Sequence, residues 1–101
     1  LIAGTWKASE AWVHQTNLLG ERNFYFTFLL NDSIKISEPD RNWHAEGTWT
    51  IDQNENAIQW EMANPDESFR GKYDMVDGQL LISGKGFIGQ HEFVSLRLEK
   101  K

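Results

Sequence analysis

Trp43-His44-Ala45-Glu46-Gly47-Thr48-Trp49-Thr50-Ile51 decides the fold. Trp43, Ala45, Gly47, Trp49 and Ile51 fall on one parity, and His44, Glu46, Thr48 and Thr50 fall on the other. Period-two alternation is what a strand with one dry and one wet face requires, and no amphipathic helix produces it. The same pattern recurs outward in both directions. Downstream, Ile58, Trp60 and Met62 alternate with Gln59 and Glu61, and Phe69, Gly71, Tyr73 and Met75 alternate with Arg70, Lys72 and Asp74. Upstream, Ile34 and Ile36 alternate within Ser33–Ser37, Phe24, Phe26 and Phe28 share a face of Asn23–Leu30, and Trp6, Ala8 and Trp12 share a face of Thr5–Val13. Gln79–Ser83 and His91–Glu99 complete the set, and no run of ten or more residues carries a helical stripe.

Eight short strands without intervening helices place the chain in the all-β class. Short links make successive strands antiparallel neighbours, which predicts an eight-stranded up-and-down β-barrel; closure removes exposed edges, and a two-sheet sandwich is the structural rival. The link lengths are unequal. Asn31-Asp32, Asp52–Glu55 and Val76-Asp77-Gly78 are tight, and Asp77-Gly78 is a strong hairpin dipeptide. His14–Arg22, Glu38–Asn42, Ala63–Glu67 and the glycine-rich Gly84–Gln90 are longer. In an up-and-down barrel the two sets lie at opposite ends, so a cup is expected, closed at the tight turns and open at the long links, with Lys85–Gly89 of the last link as a mobile flap.

Composition bounds the rest. The 101 residues form one domain, and aromatic residues make up 13% of them, so ring surface dominates the core. A net charge of −5 argues against nucleic-acid partners and against docking on an anionic membrane. The absence of cysteine removes disulfides and thiolate chemistry, and no apolar run approaches a transmembrane span. The chain opens directly on Leu1-Ile2-Ala3-Gly4 without a signal peptide, which fits a domain trimmed of its leader as well as a cytosolic one.

Gly4-Thr5-Trp6 at the mouth of the first strand, the eight-strand meander and the single Arg97 near the end of the last strand together resemble the lipocalin-like branch of the calycin superfamily. The resemblance implies that Trp6 closes a barrel floor beside Gly4 and that Arg97 packs over the indole as a cation–π cover. Most lipocalins are longer, carry a helix after the barrel and often have disulfides. This chain looks more like the short lipocalin-like domains of bacterial lipoproteins, which implies an extracytoplasmic setting, periplasmic or lipid-anchored. Avidin-type barrels also open on Gly-Thr-Trp, but too few ordered polar positions are present here for a biotin-like ligand.

Two functions follow. In the first, the long-link end holds a hydrophobic, lipid-like or aromatic molecule against Trp12, Trp43, Met62, Phe69 and Phe87, with His14 and Leu18 contributed by a lid at His14–Arg22. In the second, rings fill the barrel and it is a solid structural or interaction module of a cell-envelope protein, with Leu18-Leu19 contacting a partner protein. Glu10 falls on the face of Trp6 and Trp12. It either anchors a ligand's polar head or, the favoured alternative, reaches solvent through a bulge. His14 and His91 belong to the long-link end, but two histidines without a spaced carboxylate are a poor metal signature, and no cofactor is implied. No nucleophile elbow, phosphate loop or His-Glu-x-x-His motif is present, so no catalytic residue is assigned and an enzyme is not expected. The second Gly-Thr-Trp, at Gly47-Thr48-Trp49, is explained by alternation without an internal duplication.

Overall fold

Alternation becomes a closed antiparallel barrel. The computed structural model describes residues 2–13, 15–17, 23–63 and 66–101. Its strands are β1 (Gly4–Val13), β2 (Thr16–Asn17), β3 (Tyr25–Phe28), β4 (Ser33–Glu38), β5 (Trp43–Asp52), β6 (Ala57–Ala63), β7 (Glu67–Val76), β8 (Gln79–Ile88) and β9 (His91–Lys100). Strands β1 and β3 to β9 pair in chain order, and β9 returns to β1, giving an eight-stranded up-and-down barrel. The two-residue β2 folds back on the end of β1, pairing Val13 with Thr16. Among the described residues no helix is long and apolar enough to cross a membrane.

The links are tighter than the sequence reading had them at one place. Lys85–Gly89 is not a flap: β8 runs on to Ile88, and only Gly89-Gln90 separates it from β9. Gly89 (φ 59°) and Gln90 (φ 74°) are both left-handed, as are Asp77 (φ 53°) and Gly78 (φ 78°) in the β7–β8 link. Two consecutive positive φ values are the geometry of a two-residue hairpin that matches strand twist. A non-glycine residue pays strain at such a position, and the Glu67 carboxylate offsets it by accepting from the backbone N–H of Gly89 (2.9 Å) and Gln90 (2.6 Å). Glycine matters differently inside the wall. Gly71 of β7 faces Gly84 of β8, and a Cβ on either would collide with the other strand's backbone, at Ser83 O and Arg70 O respectively. The bare backbones let the sheet bend sharply enough to close.

The register of β1 breaks once. Ala8 pairs with Leu98 and Glu10 with Arg97, so one extra residue sits on β1 at Ser9. A bulge shifts the side-chain parity. Trp6 and Ala8 are buried before it, Ala11 after it, and Glu10 and Trp12 turn to the outer face. The favoured reading of Glu10 therefore agrees with the structure, while the inward placement of Trp12 is corrected by the same bulge.

Rings fill the barrel's middle. Trp60 stacks on Phe69 with centroids 4.8 Å apart, and Phe26 and Phe28 lie 5.8 and 6.2 Å from Trp60. Phe24 and Phe93 meet edge to face at 5.5 Å, and all of these rings are fully buried. Trp60 Nε1 is buried without a hydrogen-bond partner, a position that costs about 1–3 kcal/mol and that the aromatic packing must outweigh.

Candidate functional site: an apolar hollow at the tight-turn end

The hollow of this barrel opens at the end opposite the one expected from link length. A depression of about 520 Å³ lies inside the β3–β4, β5–β6 and β7–β8 turns. Ile2, Leu30, Trp49, Ile51, Tyr73 and Met75 supply its apolar and aromatic wall, and Ala3, Gln53 and Asn56 complete it. At the far end Phe24, Met62, Phe69, Ile88 and Phe93, among the described residues, are buried and fill the interior. The physical reason is the length of the links themselves. A turn of two to four residues stands as a rim and cannot fold across an opening, so this mouth is covered only as far as inward side chains reach.

Each wall residue is set by a local feature of the sequence. Trp49 and Ile51 are the last inward positions of the alternation in β5, and Tyr73 and Met75 the last of β7. The β3–β4 turn is closed by hydrogen bonds from Leu29 N–H to Ser33 O (2.9 Å) and from Asp32 N–H to Leu29 O (3.2 Å). The Trp49 indole then donates to Leu29 O (3.0 Å) and holds the turn against β5. Leu30 is left at the tip with 88% of its surface exposed. On the next rim, Asp52 Oδ1 accepts from the Asn54 and Glu55 N–H groups, and Tyr73 N–H donates to Asn56 O (2.8 Å), joining the β5–β6 turn to β7. Met75 and Val76, 44% and 41% exposed, stand beside the β7–β8 turn. Pinned turns fix the rim in advance of any ligand, and preorganisation lowers the cost of binding.

Ile2 of the hollow's lining is held by Trp6. Its indole is buried and donates from Nε1 to Ile2 O (2.7 Å), which brings the chain's first described residues over the barrel. The cation over the ring is Lys100, not Arg97: Lys100 Nζ lies 4.7 Å from the ring centroid and also donates to Ala3 O (2.6 Å). Gly4, with φ at 127°, leaves room for that ammonium. Arg97 faces outward between the buried Leu96 and Leu98, pairs with Glu10 (Nε to Oε2, 2.7 Å) and donates to Gln79 Oε1 (2.9 Å). Trp12 Nε1 donates to the second Glu10 oxygen at 3.0 Å, so Trp12 belongs to this outer network.

The residues expected to form one binding site are dispersed. Met62 and Phe69 are buried in the packed interior, Trp43 is half-buried against it, and Phe87 lies on the outer face, 46% exposed. Phe87 is outward because the buried positions of β8 are Leu80, Ile82, Gly86 and Ile88, all of the other parity. His14 and Leu18, with the Leu18-Leu19 tip, lie outside the described residues. His44 is exposed on β5, and His91 lies against the Phe93 ring at 6.4 Å. Among the described residues no three His, Asp or Glu side chains gather in a metal-binding group.

What the sequence reading missed is therefore the rim: Ile2, Leu30, Ile51, Tyr73 and Met75, with Gln53 and Asn56. Two signals point to it, the apolar Leu29-Leu30 directly before the Asn31-Asp32 turn and Met75-Val76 directly before Asp77-Gly78. Hairpin tips are ordinarily polar, so apolar residues at two tips on one end of a barrel single out that end as the candidate surface. A scan against protein-family models, a search of curated proteins and a search of solved structures each return no match to this chain.

Proposed function

We propose that the protein is a non-catalytic, lipocalin-like binding module that holds a small hydrophobic molecule in the hollow at its tight-turn end. The observation that carries this reading is the hollow itself: about 520 Å³, walled by Trp49, Ile51, Tyr73 and Met75, with polar groups at Gln53 and Asn56. That volume lies in the range of ligand pockets, and an aromatic wall with a few neutral polar groups is their usual lining. The lipocalin-like assignment is supported by the eight-strand meander, its closure of β9 on β1, and a buried Trp6 from Gly4-Thr5-Trp6 beneath a cation of the last strand. Because Trp60, Phe69, Phe26 and Phe28 pack the middle, the ligand sits in the mouth and does not thread the barrel.

N-phenyl-1-naphthylamine, a neutral dye that brightens in apolar surroundings, tests the reading. Saturable one-to-one binding is expected, and Met75→Glu, at a rim position that the fold does not need, weakens it at least about tenfold. Absence of saturable brightening, or equal affinity in the variant, overturns the proposal.

A second reading is favoured by one observation, the 88% exposure of Leu30 with Val76 and Met75 nearby. In it the barrel is a solid interaction module and the rim contacts a partner protein. A wild-type protein that ignores the dye but self-associates or captures a partner through Leu30 supports that reading instead.

A further inference from the structure

We infer that the hollow selects uncharged ligands and turns away anions, an inference that rests on the binding reading above. The charge census of the hollow carries it. None of the described residues that line it is ionisable at neutral pH: its polar groups are the Gln53 and Asn56 amides and the Tyr73 phenol. Among the described residues no hydrogen bond takes up those side chains, while the Tyr73 N–H and the Asn56 carbonyl are spent on each other. A ligand is thus offered neutral donors and acceptors that are not already committed.

Two described cations at this end of the barrel are occupied elsewhere. Lys100 Nζ is held by Ala3 O and the Trp6 face. Lys72 Nζ donates to Glu55 O (2.9 Å) and pairs with the Glu55 carboxylate at 3.7 Å. The rims themselves are acidic even with Glu55 paired to Lys72: Asp32 stands in the β3–β4 turn, Asp52 ends β5, Asp74 lies near the end of β7, and Asp77 stands in the β7–β8 turn. A carboxylate or sulfonate entering the mouth would lose hydration, meet no counter-charge among the described lining residues and cross a negative field. An uncharged molecule bearing an amide, ester or hydroxyl group would lose little, because Gln53, Asn56 and Tyr73 can replace the water it gives up. The ligand class is therefore a neutral, mostly apolar molecule with one or two hydrogen-bonding groups, and free fatty acids are excluded.

Two dyes with one skeleton measure this directly. 8-Anilino-1-naphthalenesulfonate is N-phenyl-1-naphthylamine with a sulfonate added, so the ratio of their affinities isolates the charge. The neutral dye is expected to bind at least about tenfold more tightly than the sulfonate at low ionic strength, with the gap narrowing as salt screens the rim. Gln53→Lys, in an exposed turn, places a cation at the mouth and is expected to improve the sulfonate's affinity relative to the neutral dye. Equal affinities, tighter sulfonate binding, or no response to Gln53→Lys overturns the selection while leaving the binding reading intact. Failure of both dyes removes the binding reading and the selection with it.

Discussion

The two ends of this barrel are built from the same alternating strands and end differently. At one end Phe24, Phe69 and Phe93 carry large rings inward, Met62 and Ile88 fill what remains, and all are buried. At the other, the inward positions stop at Trp49, Ile51, Tyr73 and Met75, and the turns beyond them are too short to fold over. The difference teaches that tight turns do not seal a barrel. Side chains fill it, and where the last inward residues stand at the rim a hollow remains.

The contrast is broken most severely at the packed end. Phe69→Ala removes a ring stacked at 4.8 Å on Trp60 and is expected to cost about 3–5 kcal/mol, read as a fall in denaturation midpoint. Met75→Ala, at the rim, is expected to cost less than about 1 kcal/mol in the same assay, since its side chain is already 44% exposed. Similar costs for the two would mean that the hollow is part of the packed core. An effect between these two sharpens the same contrast from the turns. Glu67→Ala strips the acceptors from Gly89 and Gln90 and is expected to cost about 1–2 kcal/mol, with no change in dye affinity. A loss of dye binding in that variant would couple the far end to the hollow and contradict their independence.

Much of the fold was legible in the sequence because it depends on alternation alone. Trp43 to Ile51, Ile58 to Met62 and Phe69 to Met75 keep parity from end to end, and their inward faces are those the structure shows. The candidate site was not legible, for three physical reasons. The bulge at Ser9 is signalled only by the carboxylate of Glu10 on an apolar face, and it moves Trp12 along with Glu10 to the outer face. Gly84 and Gly86 look like a flexible link, whereas they are inward positions where neighbouring backbones approach too closely for a side chain. Arg97 matched a motif position, but Leu96 and Leu98 take the inward places beside it, so Arg97 meets Glu10 on the outer face and the Trp6 ring is left to Lys100.

The chain's two methionines, Met62 and Met75, stand at opposite ends of the barrel, which makes the central claim directly measurable. With methyl-13C methionine the protein gives one methyl signal from the packed end and one from the rim. Titration with N-phenyl-1-naphthylamine is expected to shift the Met75 signal in proportion to saturation, through the ring current of the dye, and to leave Met62 in place. Movement of Met62 with Met75 unchanged would contradict the account and return the binding site to the other end of the barrel.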